Sequence, residues 1–176
     1  MSQAPDPKAL WSMSYGLYIV SSRSADGKLN GQIANSVFQV TAEPPQIAAA
    51  INKRNLTHRY IEESGVFAVS VLAQEVPMAF IGLFGFRSGR DVDKLSQVNY
   101  KTGTTGAPIV LDYALCFFEA EVVKAIDVGT HTLFVGEAIA GEVLAEGTPL
   151  TYADYHEKKK GKAPKAAPTY RGNIKA

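Results

Sequence analysis

The sequence is short of cysteine, of net charge and of long apolar runs, and each shortage excludes something. The single cysteine, Cys116, has no partner for an intrachain disulfide and cannot supply a thiolate metal cluster. Such usage suits a reducing, cytoplasmic setting. A formal net charge of +1 gives no global field for nucleic acid or an anionic membrane, so neither is expected as a partner. No apolar run reaches the roughly 18 residues that a membrane-spanning helix needs. The opening residues, MSQAPDPKALWS, hold no apolar stretch of the secretory type, so no signal peptide is expected.

Familiar catalytic patterns are scarce too. No G-x-G-x-x-G follows a strand, and Gly82-Leu-Phe-Gly85 leads to no Walker loop. His58, His131 and His156 are too far apart for a metal-ligand rhythm, and no serine sits in a nucleophile elbow. Hydrolysis and metal catalysis therefore lack support. No metal is expected, and the hard chemistry of any reaction must come from a cofactor.

What is present fits one globular domain of 176 residues with 46% hydrophobic content. Residues 1–10 read as a loose arm, followed by a helical turn over Ala9 to Met13. Gly16 to Arg23 reads as a strand, and Asp26-Gly27 as a hairpin turn. Lys28 to Val40 is the return strand, ended by Pro44-Pro45, and Gln46 to Ile51 is a short buried strand. Asn55 caps a helix over Leu56 to Ser64 that stops at Gly65. Val66 to Ala73 alternates as a strand, and Pro77 opens a short helix to Leu83. Residues 85–107 are irregular, with one helical turn over Asp91 to Leu95. Leu115 to Ile126 and His131 to Ala145 are long strands joined at Asp127 to Gly129. Leu150 to Tyr155 is a last short strand or ordered segment. From Glu157 the chain carries seven lysine or arginine residues and reads as an extended basic arm, so the domain is drawn as 1–156 and the arm as 157–176. Short strands with a few short helices predict a mainly β, antiparallel barrel rather than a parallel βαβ sheet.

The chain is organised around Lys28 to His58. Asn30, Gly31, Gln32, Ala34, Asn35 and Ser36 are small or hydrogen-bonding, so a flat ring can lie against the main chain there. Lys53, Arg54, Asn55 and Thr57 precede a helix whose N-terminus suits a phosphate. A polar edge strand and a solvated, capped loop account for the same residues, and composition does not choose between these readings. His131 opens a buried strand, either as a satisfied structural residue or at the mouth of the barrel. Phe86, Arg87, Ser88 and Arg90 are surface decoration or a clamp for a phosphate or second substrate.

The stretch NGQIANSVFQVTAEPPQIAAAINKRNLTH resembles the flavin-binding signature of the flavin reductase-like family. SGVFAVSVLAQE, FGFRSGRDVDKL and VGTHTLFVGEA resemble later family segments, in the same order. The ending LTYADYHEKKKGKAPKAAPTY is similar to the branch of flavoredoxins and the flavin domains of high-molecular-weight rubredoxins. The resemblance implies a six-stranded antiparallel Greek-key split barrel with short capping helices, forming a homodimer that binds FMN, with FAD a second candidate. It implies that Asn30, Gln32, Ile33, Ala34, Asn35 and Ser36 line the ring and ribityl chain. Lys53, Asn55 and Thr57 fall at the phosphate end, Asn52 and His58 beside them are implied as cofactor-binding, and Phe86 and Arg87 lie in the loop beyond. His131 matches the family histidine near the flavin, with Thr130 where an aspartate is common. The implied activity takes electrons from NAD(P)H, as co-substrate, to flavin. From there they pass to an acceptor, which is a redox protein such as rubredoxin, free flavin, ferric iron or oxygen. An electron carrier with little NAD(P)H activity is the alternative.

Overall fold

The structure is a computed structural model that describes residues 6–170. Seven strands form one antiparallel sheet: β1 (Tyr18–Arg23), β2 (Leu29–Ala34), β3 (Val37–Ala42), β4 (Pro45–Asn52), β5 (Val66–Leu72), β8 (Ala114–Asp127) and β9 (His131–Val143). Their spatial order is β2-β1-β5-β8-β9-β4-β3. A second sheet pairs β6 (Tyr100–Thr102) with β7 (Pro108–Val110). The helices are α1 (Pro7–Leu10), α2 (Leu56–Ser64), α3 (Met78–Gly85) and α4 (Tyr152–Glu157). None of them is long and apolar enough to cross a membrane.

The sheet order explains the barrel. β2 and β3 are consecutive in the chain yet lie at opposite edges of the sheet, so the short link through Asn35 and Ser36 draws the two edges together. The Ser36 carbonyl accepts from the Ala50 amide at 3.0 Å, which carries the β3–β4 ladder one residue into that link. The return strand expected as one piece over Lys28 to Val40 is therefore broken. Its first half pairs with β1 and its second with β4, and a chain serving two partners must bend between them. This raises the count from the expected six strands to seven, while the class of fold stands.

Strand β5 divides two layers of core. Phe67 and Val69 pack inward with Val20, Ile51, Ile61 and Phe134, while Val66 and Ala68 pack outward against Ala107, Ile109 and Phe117. The β6–β7 hairpin covers this outer face. Glu119, 2% exposed, pins it by accepting from the Thr104 and Thr105 amides at 3.1 and 2.9 Å. A third cluster joins Ile81 and Phe84 of α3 to Tyr152 and Tyr155 of α4.

Local chemistry sets the helix limits. Gly65 takes φ of 70° and donates to the Ile61 carbonyl at 2.8 Å, which ends α2 where a side chain would be strained. Three expected elements move. The turn placed at Ala9 to Met13 starts earlier, because Asp6 caps α1 by accepting from the Lys8 amide at 2.8 Å. The turn placed at Asp91 to Leu95 becomes a 3-10 turn at Leu95–Gln97, because the Asp93 carboxylate accepts from the Leu95 and Ser96 amides. The strand or ordered segment placed at Leu150 to Tyr155 is ordered but not a strand: it holds one isolated bridge, at Thr151, and its residues from Tyr152 belong to α4. Thr151 then caps α4, its hydroxyl accepting from the Asp154 amide at 3.1 Å.

Candidate functional site

A cavity of about 310 Å³ opens between β2, the end of β4, the start of α2, the loop after α3, and the chain beyond α4. Eleven of the fourteen sequence-predicted site residues line it: Asn30, Gln32, Ile33, Ala34, Asn35, Asn52, Asn55, Thr57, Phe86, Arg87 and His131. Strand geometry brings several of them together, since Asn30, Gln32 and Ala34 alternate along one strand and point to one face. Asn52 pairs directly with His131 in the β4–β9 ladder, which sets those two side chains at one end.

At the other end, Thr57 is fully buried and its hydroxyl accepts from the Asn30 amide nitrogen at 2.8 Å. Arg90 donates to the Arg54 carbonyl at 3.3 Å, which ties the loop after α3 to the loop before α2. A Cβ at Gly89 would strike the Asn30 side chain and lie 3.1 Å from Leu56, so glycine is needed where these segments touch. Asn55 makes no side-chain bond to the first turn of α2. The helix N-terminus therefore presents its amides and positive dipole end beside the cavity, an arrangement suited to a phosphate.

At the His131 end two buried polar atoms lack partners: Gln32 Oε1 and His131 Nε2. Both belong to residues that line the cavity, and buried polar groups in folded proteins are nearly always paired, so this end suits the polar edge of a ligand. Burial lowers the His131 pKa, against a weaker opposing pull from the Ala166 carbonyl. The imidazole is thus neutral near pH 7, with Nδ1 at 2.8 Å from the Thr130 hydroxyl. Together, a polar ring edge, a small-residue wall and an anion-binding helix end fit a flavin mononucleotide.

Three predicted residues stand outside the cavity. Ser36 belongs to the β2–β3 link, its hydroxyl donating to Asn35 Oδ1 at 3.3 Å. Lys53 meets Asp127 at 2.6 Å and holds that carboxyl below its usual range. His58 is buried behind the wall, with Nε2 at 2.7 Å from the Thr132 hydroxyl and its ring against Phe134. Burial pushes its pKa down.

Sequence reasoning missed Lys94, the α4 tyrosines and the segment from Lys162 to Pro168. Lys94 is 4% exposed and donates to the Gly31 carbonyl at 2.9 Å, and burial lowers its pKa to about 8. A lysine in a polar, aperiodic stretch carries no signal of burial. Tyr152 and Tyr155 did carry one, since two aromatics three residues apart share a helix face. The segment beyond α4 folds across the opening. Asn52 donates to the Ala166 carbonyl at 3.0 Å, and Asn35 to the Thr169 hydroxyl at 2.7 Å.

Comparison with known proteins bears on this geometry. The model of the flavin reductase like domain matches residues 10–160. The chain belongs to that family. A ferric-chelate reductase (NAD(P)H) of Archaeoglobus fulgidus is 56% identical to this flavin reductase-like chain over 165 residues, covering 94% of it and 97% of the relative. A high molecular weight rubredoxin of Moorella thermoacetica is 48% identical, covering 94% of this chain and 72% of the relative. Among solved structures, an NADH:FAD oxidoreductase of Streptomyces globisporus in complex with NAD and FAD fragments superposes with a TM-score of 0.72 at 25% identity, covering 85% and 92% of the two chains. The split-barrel class expected for this flavin reductase-like chain is thus the class observed.

Proposed function

We propose that the protein is a flavin-dependent oxidoreductase that binds FMN in the β2–α2 cavity and passes electrons from NAD(P)H to an acceptor. The observation that carries this reading is the pair of buried, unpartnered atoms, Gln32 Oε1 and His131 Nε2, on residues that line a cavity whose far end is an uncapped helix N-terminus. The family and the ferric-chelate reductase relative support the same activity. When bound, FMN supplies redox chemistry that no side chain offers, taking electrons in pairs and releasing them singly or in pairs.

The chain's own residues hold and orient. Asn30, Asn55 and Thr57, with Arg54 and Arg90, take the phosphate end. Gln32, Ile33, Ala34 and Asn35 take the ring side, and their backbone and amide donors favour negative charge on it. Asn52 fixes the Ala166 carbonyl beside His131. His131, the proposed catalytic residue, orients the nicotinamide through Nε2. Phe86 and Arg87 close the outer side. Ser36, Lys53 and His58 act on the site through the segments they brace.

The protein is proposed to work in the cytoplasm, as its single, half-buried cysteine suits. A homodimer is supported by apolar side chains left exposed on β3 (Phe38, Val40), β8 (Val123, Ile126) and β9 (Ile139, Val143). The chain from Glu157 is proposed as a basic arm after the 1–156 domain, packed on it where Asn35, Asn52 and Tyr155 bond to the arm; residues 171–176 of it lie outside the described part.

Similarity to a high molecular weight rubredoxin favours a second reading, an FMN electron carrier serving a redox protein such as rubredoxin. Anaerobic stopped-flow separates the two. Rapid bleaching of flavin absorbance by NADH or NADPH supports the reductase. Absence of bleaching, with fast exchange against a reduced carrier protein, supports the carrier. His131→Ala is expected to slow reduction by nicotinamide more than it weakens FMN binding, and a lost fold would instead mark His131 as structural.

A further inference from the structure

We propose that residues 161–170 form a gating strap, which opens to admit FMN and then keeps it bound between turnovers. FMN is then a resident group rather than a substrate that comes and goes. This rests on the flavin reading and goes beyond it. The family match ends at residue 160, so the strap lies past the matched domain. Lys162, Ala163, Pro164, Ala166, Ala167 and Pro168 nonetheless line the same cavity as residues of β2, β4 and α2. A ligand held there is covered by a segment that the barrel sheet does not include.

The strap has a hinge at one end and latches along its length. Lys160 takes φ of 54°, a left-handed value that a residue with a side chain adopts at a cost. A Cβ at the next residue, Gly161, would strike the Tyr155 ring, so glycine lets the chain turn back over α4 there. The Gly161 amide donates to the Tyr155 carbonyl at 2.9 Å, and its carbonyl accepts from His156 Nδ1 at 2.8 Å. Beyond the hinge, side chains hold the strap. The Tyr155 hydroxyl donates to the Lys162 carbonyl at 2.8 Å and Asn52 to the Ala166 carbonyl at 3.0 Å. Asn35 donates to the Thr169 hydroxyl at 2.7 Å, which donates in turn to the Tyr152 hydroxyl at 2.8 Å. The Ala167 and Tyr170 amides turn inward, to the Pro164 and Ala167 carbonyls. With its own turns, and with φ fixed at Pro164 and Pro168, the strap moves as a unit. A few side-chain bonds of small net strength let it open while the barrel ladders stay intact. Two latch residues, Asn35 and Asn52, line the cavity themselves, which couples the strap to what the cavity holds.

The test compares wild type with Tyr155→Phe/Thr169→Ala, which cuts the latch at both ends and keeps the Tyr155 ring in its apolar cluster. Stopped-flow flavin fluorescence follows FMN binding to the flavin-free proteins and FMN release on dilution of the loaded ones. A gate slows entry and exit alike. Both rates are therefore expected to rise roughly tenfold or more in the variant, with the equilibrium affinity changing less than either rate. Hydrogen exchange of the amides in residues 161–170 is expected to be faster in the variant, with the β-strand amides unchanged. An FMN association rate equal in the two proteins overturns the gate, even where release is faster. Equal exchange of the strap amides overturns it too, since the bonds named would then not hold the strap. Failure of wild type to bind FMN at all would instead overturn the flavin reading, while exchange would still report on the latch.

Discussion

The cavity has two unlike walls. The inner wall is made by β2, β4, β9 and the start of α2, where the main chain is tied into ladders and Asn30, Asn52 and Thr57 are buried. The outer wall is made by the loop from Phe86 to Arg90 and the chain from Lys162 to Pro168, which lie outside the barrel sheet. That second segment is anchored by side-chain bonds from Asn35, Asn52 and Tyr155. The inner wall fixes where a ligand sits, because moving it means breaking the barrel. The outer wall governs what else enters, because it shifts for the loss of a few hydrogen bonds of about 1 kcal/mol each.

The contrast is broken most severely from the core. Phe134 is 1% exposed and backs the inner wall through His58. Phe134→Ala is expected to cost about 3–5 kcal/mol in chemical denaturation, with FMN binding falling alongside stability. Lys94 ties the inner wall to the helix that precedes the outer loop, donating to the Gly31 carbonyl of β2 and to the Phe84 carbonyl of α3. Burial lowers its pKa from 10.5 to about 8, below its unfolded value. As pH rises through that window the native protein has released a proton that the unfolded chain still holds. Wild type should therefore gain stability relative to Lys94→Met, by on the order of 1–3 kcal/mol. Denaturation at pH 7.5 and at pH 10 checks this, and a constant difference would contradict it.

Smaller changes sharpen the comparison. Thr57→Val removes the acceptor for Asn30 at constant shape and should weaken FMN binding roughly tenfold, measured by flavin fluorescence. Thr169→Ala frees Asn35 and Tyr152 from the outer segment. It should change global stability by less than about 1 kcal/mol while altering the KM for nicotinamide more than kcat. Lys53→Ala is the smallest, since Lys53 is spent on Asp127 at the surface. FMN affinity should move by less than about threefold, as exposed ion pairs contribute little.

The two walls also differ in how far the sequence reveals them. β5, α2 and the β8–β9 pair announce themselves through alternation, a cap residue and a stop glycine. The inner wall follows because those elements carry its residues. The break at Asn35-Ser36 was invisible, since it answers to pairing partners on opposite sheet edges rather than to local preference. The outer wall was half legible. Phe86 and Arg87 stood out by resemblance, but a Lys-rich chain after α4 reads as solvated, and only tertiary contacts fold it over the opening. Lys53 and His58 sit in the right stretch of sequence, yet the backbone turns their side chains to Asp127 and Thr132 instead.

The measurement that bears most directly on the inner wall is titration of flavin-free protein with FMN, beside an Asn30→Leu/Thr57→Val variant. Saturable binding of one FMN per chain, weakened at least roughly tenfold in the variant, is the predicted result. Absence of binding, or equal binding by both proteins, would contradict the placement of flavin in the β2–α2 cavity.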